Sequence, residues 1–139
     1  MTDPVVPTKT ILLVEDELPF REIYRDALSM LDDFKVLEAE DGEEALAMVQ
    51  KQPPDLIMLD LVLPQKSGFD VLSQLKNDAK YKAIPIIVYS VIGEKLEIEK
   101  AMKLGADDYI IKSETPAMEV VNKVKTLLTG NVRVEPASG

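Results

Sequence analysis

The chain has 139 residues, 46% of them hydrophobic, which is enough for one core and one domain. Its 16 basic and 25 acidic residues leave a net charge of −9, which opposes unassisted binding to nucleic acid or to an anionic membrane and favours a basic or neutral partner face. Cysteine and histidine are both absent, which excludes disulfides, thiolate catalysis and zinc–thiolate sites and removes the commonest general base, leaving oxygen chemistry with a hard cation.

Residues 1–8 and 130–139, rich in Pro or small polar side chains, are expected to be flexible tails around a domain at 9–129. No apolar stretch has the length of a membrane span, and the start lacks the basic and apolar regions of a signal peptide, so a cytoplasmic protein without membrane insertion is expected. From Thr10, TILLVED reads as an apolar strand ending in Glu15 and Asp16. Phe20, Ile23, Tyr24, Ala27, Leu28 and Leu31 recur at helical spacing, with Pro19 tolerable in the first turn. Asp32 and Asp33 break the pattern before a second strand at Phe34 to Ala39, and Asp41 and Gly42 open a short helix through Val49.

The stretch LIMLDLVLP, Leu56 to Pro64, is the centre of the pattern: a continuous apolar run that delivers Asp60 and is bounded by prolines, as a strand buried on both faces would be. Gly68 leads into a third helix that fades at Asn77 to Tyr81. Ile84 to Tyr89 reads as a fourth strand ended by Ser90, and the segment from Ile92 to Leu104 as a helix stopped by Gly105. Tyr109 to Ile111 forms a fifth strand ending at Lys112, and Pro116 opens a last helix whose core face is Val120, Val121, Val124, Leu127 and Leu128. Five strands alternating with five helices predict an α/β fold, a doubly wound parallel sheet with right-handed crossovers and a functional crevice at the strands' carboxyl ends.

That rule gathers Glu15, Asp16, Asp60, Ser90 and Lys112 at one edge of the sheet. Three carboxylates so placed repel one another unless one keeps a proton or a cation neutralises them. With no imidazole or thiolate ligand in the chain, Mg²⁺ is the expected ion. A hard cation beside a carboxylate, an ammonium and a hydroxyl is equipment for phosphoryl transfer, with Asp60 as nucleophile and Lys112 and Ser90 contacting phosphoryl oxygens. Each residue also has an ordinary reading. Glu15 and Asp16 suit a solvated turn or a helix cap, Ser90 a cap, Lys112 a surface position, and Tyr109 a packed strand aromatic.

VED at Val14 to Asp16, LDLVLP at Leu59 to Pro64 with Gly68, Ser90, and GADDYIIK at Gly105 to Lys112 together resemble the receiver domain of two-component response regulators, of the stand-alone, chemotaxis-regulator kind. The resemblance covers roughly Lys9 to Leu128 and implies a flavodoxin-like five-stranded sheet in the order 2-1-3-4-5. It implies that Asp60 is the phosphoacceptor, Glu15 and Asp16 the Mg²⁺-binding pair, and Val62 the donor of a backbone carbonyl to the ion. It also makes Ser90 and Tyr109 the switch residues and Lys112 the phosphoryl-contacting lysine. The implied partners are a sensor histidine kinase or histidine phosphotransfer protein and a downstream protein target, with no direct nucleic-acid contact. Such a domain is a signalling phosphoacceptor that promotes its own phosphorylation and dephosphorylation, and is not an enzyme.

Two departures stand out. The family usually places Pro after the lysine, often with a cis bond, whereas this chain has Ser113; a cis bond to a non-proline residue costs about 2.5–4 kcal/mol, which leaves open a trans bond and with it a differently aimed lysine. Val62 and Ile92 are apolar where some receivers carry polar side chains that orient water, which predicts slow self-dephosphorylation. The rival readings are a receiver-like docking module acting without phosphorylation, favoured by Ser113, and a phosphohydrolase of the haloacid dehalogenase type, disfavoured because Val62 stands where a second Asp is needed. A dinucleotide-binding fold is disfavoured by the glycine-free loop EDELPF. No output module is expected in the ten residues after Thr129, which leaves open a stand-alone regulator or a portion of a longer chain.

Overall fold

The computed structural model describes residues 8–30 and 34–129. The two tails, apart from Thr8, lie outside the described residues, as do Leu31, Asp32 and Asp33. The elements are β1 (Lys9–Val14), α1 (Leu18–Ser29), β2 (Phe34–Ala39), α2 (Gly42–Lys51), β3 (Leu56–Asp60), α3 (Gly68–Lys76), β4 (Ile86–Ser90), α4 (Lys95–Lys103), β5 (Asp108–Ile111), a 3-10 turn (Lys112–Glu114) and α5 (Ala117–Thr129). The strands form one parallel sheet in the order β2-β1-β3-β4-β5, as the sequence pattern and the resemblance imply.

Because successive side chains of a strand point to opposite faces, each apolar run supplies two cores. Ile11 and Leu13 of β1, Leu56 and Met58 of β3, and Ile87 and Tyr89 of β4 pack with Tyr24 and Leu28 of α1 and Val120, Val121 and Val124 of α5. Leu12, Val14, Ile57, Leu59, Ile86 and Val88 face the other way, onto Leu46 and Val49 of α2, Val71 and Leu72 of α3 and Ala101 of α4. All five residues of β3 are buried, as befits the central strand.

Local chemistry sets the element ends. Asp41 caps α2 by accepting from the Glu44 N–H at 2.8 Å, and Glu44 reaches back to the Glu40 N–H at 2.8 Å. Ser67 caps α3 by accepting from the Asp70 N–H at 3.2 Å. After α4 the chain turns at Gly105, whose φ of +112° is open to glycine and strained for side-chain-bearing residues.

Several expected boundaries shift by a residue or more, three of them at β4 and α4. β4 begins at Ile86 rather than Ile84, because Pro85 has no N–H to give the ladder and Ile84 instead donates to Tyr81 in a turn at 3.0 Å. Ser90 is accordingly the last residue of β4 and not its successor. α4 begins at Lys95, with Glu94 as its extended cap residue, so Ile92 belongs to the β4–α4 loop.

Candidate functional site

Strand register assembles the site. Val14 lies beside Leu59 and Asp60 beside Tyr89, so Glu15, the residue after β1, stands next to Asp60. Ser90 lies beside Ile111, which puts Lys112 one step beyond it. Alternation then divides the residues. Asp60 shares the parity of Met58, and Glu15, Tyr89 and Lys112 continue the same parity on their strands, toward α1 and α5. Tyr109 packs with the opposite core, and Ser90 shares the parity of Val88 in that core.

Glu15 is 0% exposed and Asp60 4%, which excludes the solvated-turn reading for Glu15. Asp16, the other half of the pair, is exposed. Between the two buried carboxylates lies Lys112, whose Nζ donates to Glu15 Oε1 at 2.6 Å and to Asp60 Oδ2 at 2.9 Å. The Lys112–Ser113 bond is trans. With this trans bond the lysine points into the carboxylate pair. Asp60 Oδ1 accepts from the Val62 N–H at 3.1 Å, so Val62 approaches the acceptor carboxylate through its backbone.

Burial is the main force on the Asp60 proton and pushes its pKa up to about 6; the Lys112 ammonium and the Val62 N–H oppose it, while Glu15 adds to it. For Lys112 burial acts downward, but hydrogen bonds to Glu15 and Asp60 outweigh it, and the net displacement is upward. One ammonium therefore faces three carboxylates, and the cluster is short of positive charge. Oxygens of Glu15, Asp16 and Asp60 all lie within 4.8 Å of one another. An all-oxygen donor set of this charge fits a hard divalent cation, with water filling the remaining positions.

Ser90 is fully buried, and its hydroxyl accepts from the Ile92 N–H at 3.2 Å, a local turn bond of the kind its ordinary reading implies. Tyr109 is half-buried and donates its hydroxyl to the Ile92 carbonyl at 2.6 Å. Both thus engage the same short loop. Burial chiefly raises the Tyr109 phenol, which remains a donor.

Three residues not singled out for the site from the sequence also belong here. Tyr89, fully buried, donates to Glu15 Oε1 at 2.8 Å. Phe20 places its ring 4.4 Å from Lys112 Nζ. Arg21 donates from Nη1 to the Glu15 carbonyl at 2.8 Å and from Nε to Glu38 Oε1 at 3.1 Å, which ties the turn after β1 to β2. A tyrosine in an apolar strand carries no sequence signal of where its hydroxyl ends.

This sheet order with a polar site at the carboxyl edge places the protein among flavodoxin-like α/β folds. The chain belongs to the response regulator receiver domain family, whose pattern it matches over residues 11–125. It is 42% identical over 120 residues to the phosphate regulon transcriptional regulatory protein PhoB of Pseudomonas aeruginosa, covering 86% of this chain and 52% of that protein. The chain therefore spans about half the length of the curated relatives it matches. Among solved structures it is similar to the phosphorylated cyanobacterial phytochrome response regulator RcpA, with 31% identity, a TM-score of 0.81 and coverage of 90% and 97% of the two chains. The Mn²⁺-bound form of response regulator Rcp1 is similar at 28% identity and a TM-score of 0.78, covering 92% and 99%. Among the described residues no helix is long and apolar enough to cross a membrane.

Proposed function

We propose that Asp60 accepts a phosphoryl group from a partner's phosphohistidine and that the domain passes the signal on as a change of surface shape. The observation that carries this reading is the buried Lys112 ammonium bridging Glu15 and Asp60 beside an exposed third carboxylate, Asp16. The sequence has no histidine, so the phosphohistidine lies outside it, on a sensor histidine kinase or histidine phosphotransfer protein, and a small acyl phosphate is the alternative donor. An Asp60 oxygen forms a bond to phosphorus as the donor's P–N bond breaks, and the electron pair leaves with the imidazole. Lys112 transfers one N–H from Asp60 to a phosphoryl oxygen and keeps another on Glu15; the Val62 N–H holds the carboxylate's orientation.

Asp16, Asp60, Glu15 and the Val62 carbonyl would hold Mg²⁺, which supplies positive charge against the phosphoryl oxygens. The manganese in Rcp1 and the phosphorylated state of RcpA support both parts by likeness. Ser90 would turn its hydroxyl from the Ile92 N–H to the phosphoryl group, and the Tyr109 bond to the same loop would follow it, changing the face around α4, β5 and α5 for a downstream protein. The domain works as a cytoplasmic signalling phosphoacceptor and not as a turnover enzyme. Relatives about twice as long carry transcriptional names, but a net charge of −9 makes direct nucleic-acid contact by this portion unfavourable.

Intact mass after incubation with Mg²⁺ and acetyl phosphate tests the reading. The expected result is one added phosphoryl group, absent without Mg²⁺ and absent in Asp60→Asn. No uptake from either acetyl phosphate or a cognate kinase by the folded protein would leave the docking module that acts without phosphorylation.

Val62 is 57% exposed and Ile92 half-buried, and neither side chain can orient an attacking water. The phosphorylated protein should accordingly persist for minutes or longer once the donor is removed. Decay within seconds, followed by mass, would rule this out.

A further inference from the structure

We propose that Tyr89 is a positioning residue for the phosphoryl-transfer site: its hydroxyl pins Glu15, so that Glu15 in turn holds the Lys112 ammonium against Asp60. The proposal rests on the reading of Asp60 as phosphoacceptor. Tyr89 also fills core space, since its ring meets that of Tyr24 edge-on with centroids 5.2 Å apart and planes at 76°. A phenylalanine would pack equally well there, so packing leaves the hydroxyl unexplained.

The hydroxyl accounts for the geometry around Glu15. Tyr89 Oη and Lys112 Nζ both donate to Glu15 Oε1, at 2.8 and 2.6 Å. Two donors converging on one oxygen, with the Glu17 N–H on Oε2 at 3.0 Å, fix the rotation of the carboxylate. The Arg21 bond to the Glu15 carbonyl at 2.8 Å fixes its main chain. On the other side, the Lys112 ammonium lies over the rings of Phe20 and Tyr89, with centroids 4.4 and 4.8 Å away. Tyr89 thus constrains the lysine twice, through Glu15 and through its own ring. Burial and the neighbouring Glu15 carboxylate raise the Tyr89 phenol well above its ordinary range, which keeps the donor proton in place.

During transfer the lysine must exchange Asp60 for a phosphoryl oxygen while Glu15 remains its pivot. Without the tyrosine hydroxyl the Glu15 carboxylate keeps only the Glu17 N–H as a hold independent of the lysine, and it can swing with the lysine and carry it off the line to Asp60. The contact at stake strengthens in the transition state, so its loss falls on the maximal rate and not on the half-saturating donor concentration.

Tyr89→Phe, made in the whole chain, keeps the ring and removes the hydroxyl. With Mg²⁺ and an acetyl phosphate series, the expected result is a maximal phosphorylation rate lower by about three- to ten-fold at unchanged half-saturation, the scale of one hydrogen bond. A second reading needs no phosphorylation: the ¹⁵N–¹H signal of the Lys112 ammonium should be protected from solvent exchange in the wild type and broadened in Tyr89→Phe. An unchanged rate and an unchanged lysine signal, with the wild type phosphorylated at Asp60, would overturn the inference alone and leave Tyr89 as core filling. Absence of Asp60-dependent uptake in the wild type would overturn the site reading and the inference with it, whatever the lysine signal shows.

Discussion

Replacing Lys112 with methionine is expected to lower phosphoryl uptake by roughly 10²–10³-fold, the scale for removing one donor aimed at developing charge. The same change should destabilise the protein by about 3–5 kcal/mol at neutral pH, because it breaks a buried ion pair by deleting one partner. The side chains involved are 3% exposed for Lys112, 0% for Glu15 and 5% for Asp60, so water cannot replace the lost ammonium. The Glu15 carboxylate would retain the Tyr89 hydroxyl and the Glu17 N–H but lose its only ion-pair partner among the described residues.

The pH dependence has a definite sign. Asp60 in the folded wild type holds its proton up to about 6, whereas an unfolded Asp releases it near 3.8, so ionising it costs stability as pH rises between those values. Removing Lys112 removes the strongest influence opposing that upward displacement and extends the cost to higher pH. The gap between wild type and Lys112→Met should therefore be widest above pH 6 and narrow toward pH 4. Thermal melts across that range, in chelator, measure it; at neutral pH the midpoint should fall by roughly 10 °C or more. A Lys112→Met midpoint within two degrees or so of the wild type would show that the buried carboxylates do not need the lysine. Adding Glu15→Gln should recover part of the loss, since removing both partners of a buried pair is milder than removing one.

The second large effect is expected at Gly68, the first residue of α3. A Cβ built there would lie inside contact distance of the Asp60 carbonyl oxygen and only 2.5 Å from Leu61 Cα, both backbone atoms with nowhere to move independently of β3. The Gly68 N–H donates to the Leu61 carbonyl at 2.9 Å, so helix and strand end are already joined at their closest approach. Gly68→Ala must separate α3 from the end of β3, at a cost of about 2–4 kcal/mol. It also displaces Asp60 itself. A shift of an ångström at a reacting group costs about 10²-fold, so phosphoryl uptake should fall even in the fraction that stays folded. Gly93 offers the contrast: a Cβ there meets the Ile111 side-chain end at 3.0 Å, which can rotate away, and Gly93→Ala should change stability by less than about 1 kcal/mol. Denaturant melts and initial uptake rates on the two variants compare them directly, and equal behaviour would contradict the steric account.

Why some features were legible before the structure and others were not follows from the period of each element. Apolar runs bounded by Pro and Gly, as in LIMLDLVLP, announce buried strands, and the doubly wound rule sends their carboxyl ends to one edge. Asp60, Glu15, Asp16 and Lys112 could therefore be gathered by strand-end position alone. The start of β4 was misread because an apolar run does not show where hydrogen-bond pairing begins, and Pro85 delays it by two residues. The aim of Lys112 stayed open for a related reason. The residue after it bears on one local peptide bond, while its direction is decided by carboxylates 97 and 52 positions away.

By itself, then, the sequence determined the alternation of five strands and helices, the two apolar faces of each strand, and the absence of imidazole and thiolate ligands. Those depend on side-chain type and local spacing. Only the tertiary structure decided that Glu15 is sealed while its neighbour Asp16 faces solvent, that Arg21 braces the turn between them and α1, and that the Tyr89 hydroxyl ends on Glu15. Such contacts are set by cross-strand register and by how closely α1 and α5 press on the sheet. A two-residue period in the chain specifies which face a side chain takes but not which partner it meets there.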